Sequence, residues 1–518
     1  MGALTESLRP QHPQARVVHE LVSAFDLGGD AVPTQLVATG ITMATAEVRP
    51  GDIFVALPGA NVHGAQFARD AVAAGAVAIV TDAAGAHSAA GCGVPIMVTE
   101  HVRARMGAMA AWMYGTTELG IPTFGVTGTN GKTSVVYLLT AILAQLGISS
   151  GLSTTAERRI GPTAITSGLT TPESTELHAL LARMADEHVG AIALEVSAQA
   201  LSRHRIDGVH CDVVGFTNLS HDHLDDYVAF EDYFEAKAQL FTQERAGRGV
   251  VITDDVWGER LATQARIPIT TITTNPNIAA DWRLTISRET QRETGFRLTA
   301  ADGRSLETTV PVMGRFMAAN AALAIVMLLE AGYVLEDIAA VLERDGGIGV
   351  YIPGRAEIVS GERGPVVYVD YGHTPDAFAG LLASLQAVTS GKVFMVFGAD
   401  GDRDTTKRHE MGAIAARGAD VVIITDFHPR TEDPALIRQA LLEGAHGAAS
   451  GANIIEEADP QLAMRLAIEL AGDDDAIVYA GPGHENYREV NGVHLDYNAR
   501  EDVRAALRDA GLPPHGEN

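Results

Sequence analysis

The string Gly128-Thr129-Asn130-Gly131-Lys132-Thr133-Ser134 lies between an apolar β-like run, TFGVT, and an amphipathic run, VVYLLTAILAQLG. A strand, a glycine turn, a lysine with a hydroxyl and then a helix restrict fold and ligand together. The glycines let the turn wrap so that backbone N–H groups face phosphate oxygens. Lys132 then reaches the β- and γ-phosphates, and the Thr133 hydroxyl ligates Mg²⁺. The start of the helix adds positive potential. The general form of this motif has a glycine five residues before Gly131, where Val126 stands; Gly128 takes its part. ATP with Mg²⁺ is the expected ligand of this loop.

The rest of the chain keeps the same alternation of strand and helix. Residues 34–118 hold short β-like runs (DIFVAL, AVAIVTD, PIMVTE) between Ala-rich helical stretches, and GTTELGIP breaks the helical period near residues 115–121. From Pro122 the order is strand, polar loop, helix, with later strands expected at AIALEV and DVVGFTN. Residues 270–312 are β-rich and read as an antiparallel extension, and GRFMAANAALAIVMLLEAG reads as a helix opening after a glycine. Pro353 and Gly354 interrupt the pattern again. Beyond them PVVYVDYGHTPDA, KVFMVFGADGDRD, ADVVIITDFHPR and DAIVYAGPGHEN are each an apolar strand running into a polar, glycine-rich loop. Ligands of open α/β sheets bind at such carboxyl ends. The expected fold class is α/β in three domains, with a central P-loop-type, mostly parallel sheet and a Rossmann-like C-terminal domain. The expected boundaries are 1–118, 119–352 and 353–518.

A chain of 518 residues suits several domains, and 46% apolar with 20% charged residues is a globular balance. The formal charge, 38 minus 65, is −27. That excess disfavours a nucleic-acid backbone as partner, because such binding needs clustered Lys and Arg. Cys92 and Cys211 are too few and too distant for a disulfide framework. The N-terminal run lacks the apolar core of a signal peptide, and no stretch nears the ~20 apolar residues of a membrane span. A cytoplasmic protein without a membrane span is expected, with monomer as the default state.

The string GVTGTNGKTS, with its glycine three residues before Gly131, resembles the Mur ligases and their folylpolyglutamate synthetase relatives. The resemblance implies further residues. LEVSAQAL puts Glu195 at a strand end, TNLSHDHLDD puts His223 after another, and FEDYFEAKAQLF puts Lys237 on a helix. In that family such a glutamate, histidine and lysine gather around ATP and magnesium. The lysine is commonly carbamylated, which makes it a carboxylate-like magnesium ligand. Read from the residues alone, a strand-end acid such as Glu195 is usually a helix cap or solvated, His221 and Asp222 fit turn residues, and Lys237 fits an exposed helix lysine. Asn320, in GRFMAANAALA, matches the family asparagine near the adenine, although Met317 replaces the asparagine that commonly follows the phenylalanine. Lys132, His223 and Lys237 are thus the catalytic candidates; Thr133, Glu195, His223 and Lys237 are the metal candidates.

ITMATAEVRPGDIFVALPGANVHG resembles the uridine-nucleotide domain of the UDP-N-acetylmuramoyl-tripeptide synthetase (MurE) type. Ala44-Thr45-Ala46 stands where that type shows Asp-Ser-Arg, and Thr45 keeps only the hydroxyl. LTTPES supplies Thr170 and Thr171, EVS supplies Ser197, and RHRIDG supplies Arg203 and Arg205; in the family these hold the muramoyl-dipeptide end of the acceptor. Gln199 stands where a histidine is common. DYGHTPDA supplies Asp370 and His373 near the nucleotide, with Gly372 in place of alanine. GADGDRDTTKRHEMG supplies Arg403, which in the family contacts the incoming amino acid. The specificity string, often Asp-Asn-Pro-Arg in enzymes adding meso-diaminopimelate, reads Phe427-His428-Pro429-Arg430. Phe427 removes an acceptor for an ammonium and adds bulk, while Arg430 retains a partner for a carboxylate. GPGHE supplies Gly481 and Glu485, with Pro482 in place of lysine.

The resemblance implies an ATP-dependent ligase that adds a diamino acid to UDP-N-acetylmuramoyl-L-alanyl-D-glutamate through an acyl phosphate. Lysine, ornithine, diaminobutyrate and other amines remain open, and the altered string does not favour diaminopimelate. Acceptor, ATP and amine fall to three domains, so closure of the last domain is expected to assemble the site. A second reading is a related ligase with another acceptor, as in folylpolyglutamate and cyanophycin synthetases. The N-terminal domain and the TTPES string weigh against a folate enzyme. A third reading is a non-catalytic ATP-binding scaffold, which has no chemical need for Lys132, Thr133, Glu195, His223 and Lys237 together.

Overall fold

A computed structural model describes residues 9–59, 61–222, 226–227 and 229–516. Among the described residues the chain builds three large sheets in succession, beside two two-stranded ones. The first orders its strands Gly28–Gly29, Ile96–Val98, Ala78–Thr81, Asp52–Val55 and Gly40–Thr42. All neighbours run parallel except the Gly28–Gly29 pair. Every residue of Asp52–Val55 and Ala78–Thr81 is buried, as expected when helices cover both faces of a parallel sheet. The helix Val102–Tyr114 follows and stops at Gly115, whose φ of 69° is the left-handed conformation that ends many helices.

The second sheet has eleven strands, in the order Thr163–Thr166, Glu157–Ile160, Ser150–Ser153, Ala191–Glu195, Thr123–Thr127, Cys211–Phe216, Ala246–Ile252, Ile269–Thr273, Trp282–Glu289, Thr294–Ala300 and Ser305–Val310. Its middle is parallel and its two ends are antiparallel. The expected antiparallel extension is present from Trp282 to Val310, but Ile269–Thr273 pairs parallel with both neighbours. The crossover helix Val256–Gln264 accounts for the pairing with Ala246–Ile252, because it returns the chain to the same end of the sheet before Ile269.

Thr123–Thr127 lies in the middle of this sheet and delivers the glycine loop to the helix Lys132–Gln145. Ten residues of that helix are buried, including Leu138, Leu139, Ile142 and Leu143. It packs on Arg315–Glu330, which buries Leu323, Ile325, Val326 and Met327 against the same core. Each such side chain taken from water contributes roughly 1.5–3 kcal/mol. The loop is therefore fixed between a buried strand and a helix wedged into the largest core.

The third sheet orders Glu357–Ile358, Val366–Asp370, Ala476–Ala480, Val393–Phe397, Val421–Ile424 and Asn453–Glu456. All pairs are parallel except the first. The carboxyl ends of its four longest-buried runs carry the loops DYGH, GADGDRD, TDFHPR and AGPGHE. Those loops face the glycine turn of the second sheet and complete one cleft.

Candidate functional site

The cleft has a volume of ≈ 1400 Å³ and is lined from the glycine loop across to the loops of the third sheet. At its centre the loop is held open by two glycines. Gly128 has φ of +146°, and a Cβ there would come 1.8 Å from Thr217 Oγ1; Gly131 has φ of +90°, and a Cβ there would come 2.5 Å from Asn320 Oδ1. No side chain fits either position. Asn320, carried over as the residue near the adenine, thus packs directly on the loop.

Backbone and side-chain bonds tie the loop to the strand end at Phe216. Thr129 N donates to Asn218 O at 2.9 Å, Asn130 N to Asn218 Oδ1 at 3.1 Å, and Thr217 Oγ1 to Asn130 O at 2.6 Å. The helix begins at Lys132, so its first-turn N–H groups have no partners within the helix and point toward the cleft. Ser134 is buried in that first turn. Lys132 folds back over the loop, donating to Gly128 O at 3.1 Å and Thr129 O at 2.8 Å, with Glu195 Oε1 at 4.0 Å. Burial lowers its pKa, and Glu195 opposes that shift.

Glu195 ends the strand Ala191–Glu195 with only 3% of its surface exposed. Its carboxylate accepts from Thr133 Oγ1 at 2.9 Å, Thr155 N at 3.0 Å and Thr155 Oγ1 at 3.2 Å. A buried carboxylate needs such donors to remain charged. Thr170 Oγ1 lies 2.9 Å from Thr155 Oγ1, and Thr171 Oγ1 donates to the carbonyl oxygen of Glu195 at 2.8 Å. The TTPES segment and the glutamate strand are thereby locked to one another. Ser197 caps the short helix that follows, accepting from Ala200 N at 3.1 Å.

Lys237 is a core residue and not the exposed helix lysine that its amphipathic setting allows. It is 1% exposed, and its Nζ donates to Gly128 O at 2.6 Å while lying 4.3 Å from the centre of the Tyr233 ring. Burial, and then the charge on Lys132, push its pKa well below the ordinary lysine value. His223 lies outside the described residues. Its neighbour Asp222 is buried 3.3 Å from Lys407 Nζ and 4.0 Å from His373 Nε2. His221 Nε2 lies 3.2 Å from Asp404 Oδ2. Among the described residues, no group of three or more His, Cys, Asp or Glu side chains is arranged to hold a metal ion by itself.

Arg203 and Arg205 line the cleft on the side of the second sheet, the first paired with Asp226 Oδ1 at 2.9 Å and the second with Glu173 Oε1 at 3.0 Å. On the opposite side Asp370 accepts from Ala356 N at 2.7 Å and Gly372 N at 2.6 Å, so its carboxylate shapes its own loop. His373 follows, its Nδ1 bonded to Tyr371 O at 2.7 Å, and Arg403 lines the same wall. Thr45 starts a short 3₁₀ turn, Thr45–Glu47, in the first domain and is not among the residues lining this cleft.

A small cavity of ≈ 50 Å³ opens beside the cleft, lined by Tyr371, Phe427, His428, Arg430, Gly481 and Glu485 among others. His428 Nδ1 accepts from Glu489 N at 2.8 Å, which leaves Nε2 to donate to Glu485 Oε2 at 2.7 Å. Arg430 takes a left-handed φ of 51°, unusual for a side-chain-bearing residue. Its guanidinium lies 3.6 Å from Asp400 and 3.3 Å from Glu489. Pro429 supplies the carbonyl that a Cβ on Gly401 would meet at 2.0 Å, so the FHPR and GADG loops pack backbone to backbone.

Arg355 is the residue that the sequence reading missed. Its Nη2 donates to Thr133 Oγ1 at 3.2 Å, its guanidinium lies 4.3 Å from the centre of the Tyr371 ring, and Nη1 sits 3.3 Å from His484 Nδ1. His484 Nε2 in turn donates to Thr155 O at 3.2 Å, and burial lowers its pKa to about 3. One arginine after the Pro353-Gly354 break thus joins the third sheet to the glycine loop. The only sequence signal was its place directly after that break.

Three family descriptions match the chain in order: "Mur ligase family, catalytic domain" over residues 37–114, "Mur ligase middle domain" over 126–328, and "Mur ligase, glutamate ligase domain" over 354–483. A UDP-N-acetylmuramyl-tripeptide synthetase of Leifsonia xyli subsp. xyli is 60% identical over 98% of this chain and 99% of its own. A UDP-N-acetylmuramoyl-L-alanyl-D-glutamate–2,6-diaminopimelate ligase of Streptomyces coelicolor is 40% identical over 96% and 98%. Among solved structures, a UDP-N-acetylmuramoyl-L-alanyl-D-glutamate–2,6-diaminopimelate ligase superposes with a TM-score of 0.64 at 28% identity, covering 95% of this chain and 99% of that one. The MurF ligase of Thermotoga maritima in complex with ADP shares the fold at 18% identity and a TM-score of 0.62, over 91% and 97%. Lys132, Thr133 and Glu195 meet at one cleft, and with relatives of this length and identity the chain belongs to the Mur ligase family of ATP-dependent, carbon–nitrogen bond-forming ligases.

Proposed function

We propose that the protein joins an amino acid to the D-glutamyl carboxylate of UDP-N-acetylmuramoyl-L-alanyl-D-glutamate in peptidoglycan precursor synthesis. Residues 1–118 would bind the uridine end of the acceptor, 119–352 the ATP, and 353–518 the incoming amine. The observation that carries this reading is the burial of Lys237 against Gly128 O, opposite the Thr133–Glu195 bond. A nucleotide-binding scaffold has no chemical need for a buried lysine beside its phosphate loop.

The chemistry proceeds in two displacements. A carboxylate oxygen of the acceptor attacks the γ-phosphorus, and ADP leaves. The ammonium loses one proton to solvent, its nitrogen attacks the acyl carbon, and inorganic phosphate leaves with that acceptor oxygen; a second proton then goes to solvent and the third stays on the amide nitrogen. Lys132 and the first-turn N–H groups of its helix hold the β- and γ-phosphates and meet the negative charge that spreads over them. Thr170, Thr171 and Ser197 stand with Glu195 on the acceptor's side, and Arg203 and Arg205 supply cationic forks for its carboxylates.

Thr133 and Glu195 offer oxygen donors in a buried setting, which suits a hard cation that keeps several waters and binds substrate phosphates. They fit Mg²⁺, which would supply charge neutralisation on the phosphates. Lys237 contributes in its neutral form, the form that burial favours. Its amine adds to carbon dioxide with loss of one proton, giving a carbamate whose oxygens are further hard donors. His223, Asn320, Asp370 and His373 complete the proposed nucleotide side.

The test is release of ADP and phosphate by the purified protein. Release only when the UDP-muramoyl-dipeptide and an amine are both present supports the proposal. Release with a folate acceptor, or with no acceptor at all, would replace it with the second or third reading.

A further inference from the structure

Glu173 follows Thr171 and Pro172 in the TTPES segment, and that segment is fixed to the glutamate strand. Thr171 Oγ1 donates to Glu195 O at 2.8 Å and accepts from Ser197 N at 3.1 Å, and Pro172 stiffens the step to Glu173. The Glu173 carboxylate then takes two guanidinium groups from different domains. Oε1 accepts from Arg205 Nε at 3.0 Å, and Oε2 accepts from Arg103 Nη1 at 2.9 Å. Arg103 belongs to the helix Val102–Tyr114 of the first domain. That helix is seated on the arginine loop backbone to backbone, since a Cβ on Gly107 would come 2.2 Å from Asp207 O. Asp207 in turn holds Arg245 Nη2 and His204 Nδ1, each at 2.7 Å. Arg205 lines the main cleft and is bonded to Glu173 through Nε alone. Its Nη1 and Nη2 make no hydrogen bond among the described residues.

We infer that Arg103 is a positioning residue for the dipeptide end of the acceptor, acting through Glu173 on the Arg205 fork. The inference rests on the acceptor reading above, in which Arg205 meets a carboxylate. It gives the first domain a task beyond the uridine end. A free arginine side chain samples many rotamers and loses that freedom when it binds. One anchored at Nε presents both Nη groups in a fixed plane, the geometry that a carboxylate accepts bidentately. The anchor is only as firm as its own second oxygen, and Arg103 holds that oxygen. Two guanidiniums on one carboxylate also leave the trio with one positive charge in excess, which suits an anionic acceptor. Because Thr171 ties the same segment to Glu195, the plane of the fork is set relative to the carboxylate that accepts from Thr133. Such support matters, since a misplacement of about 1 Å at a reacting group costs ~10²-fold in rate.

Calorimetric titration of the full chain with two acceptors separates this role from a general one. UDP-N-acetylmuramoyl-L-alanyl-D-glutamate carries the glutamyl carboxylates, and UDP-N-acetylmuramoyl-L-alanine ends before them. Arg103→Ala should weaken the first ~3–10-fold, and the second, like ADP, by less than about twofold. Arg103→Lys should recover part of the loss, because it keeps the charge without the planar donor. In an Arg205→Ala background Arg103→Ala should add nothing further, the signature of two residues acting as one unit. In steady state KM for the dipeptide acceptor should rise while KM for ATP holds. Equal weakening of both acceptors and ADP, full additivity with Arg205→Ala, or unchanged binding by Arg103→Ala would overturn the inference. Arg205→Ala alone separates the two claims. If it binds the dipeptide acceptor as the parent does, the acceptor role of Arg205 fails and the inference falls with it. If it binds weakly while Arg103→Ala is silent, only the inference fails.

Discussion

Lys237 sets its Nζ 2.6 Å from the carbonyl oxygen of Gly128, the first glycine of the phosphate loop. Glu195 and Asp222 favour its charged form from a distance, but burial and Lys132 outweigh them. In the proposed mechanism such a lysine serves as a nucleophile toward carbon dioxide, since burial disfavours its charged form. Lys237→Ala should therefore lower kcat/KM by ~10²–10³-fold or more, the scale of losing one preorganised charge-stabilising group. Added short carboxylates should restore part of the rate by occupying the vacated space. Steady-state phosphate release with and without added acetate or formate checks this; full activity of the variant without rescue removes the carbamate.

Arg355 should prove sensitive too, though less so than Lys237. Its contact with Thr133 Oγ1 at 3.2 Å crosses from the third sheet to the nucleotide loop. Arg355→Ala should raise KM for ATP and lower kcat, together by ~10–100-fold, with little change in thermal midpoint. Arg355→Lys should recover only a small part, because a lysine cannot reproduce a planar fork stacked on Tyr371.

Gly128→Ala should abolish nucleotide binding. Its φ of +146° and the 1.8 Å approach of a Cβ to Thr217 Oγ1 leave no relaxed solution that keeps the loop. Calorimetric titration with ADP measures the loss. The same substitution at Gly451, which has no left-handed φ and where a Cβ meets nothing within 4 Å, should keep ADP binding near the parent's level.

Acid should destabilise the protein through His178. This buried ring joins the first domain to the second, accepting at Nδ1 from Thr116 Oγ1 (2.6 Å) and donating from Nε2 to Asp207 O (2.9 Å). Burial lowers its pKa from 6.5 to about 4. The unfolded chain therefore takes up a proton first, so the contribution to stability is complete above about pH 6.5 and is lost as pH falls toward about 4. The urea midpoint should drop between pH 7 and pH 5, and His178→Gln should flatten that drop.

Much of this arrangement was legible from the chain alone. TFGVT, AIALEV and the four C-terminal runs are fully buried strands, and the glycine turn fell where strand, loop and helix periodicity placed it. Such elements carry their signal locally. Ile269–Thr273 was harder, because whether a strand runs parallel depends on the crossover before it and not on its own residues. Lys237 read as a surface lysine from its helix, and only the resemblance placed it by the nucleotide; its burial comes from Gly128 and Tyr233. Arg355 and the Asp222–Lys407 pair were invisible for the same reason, each being a contact between segments more than 180 residues apart. The FHPR string showed that a pocket had changed, but the His428–Glu485 bond needed the fold to bring both loops together.

The account turns on transfer of an acceptor oxygen to phosphate. Acceptor labelled with ¹⁸O in its glutamyl carboxylate, turned over with ATP and the preferred amine, reports this directly by mass spectrometry of the phosphate released. An acyl phosphate predicts one ¹⁸O atom in each inorganic phosphate and none in ADP. Label retained wholly in the product amide, or found in AMP, would contradict the account.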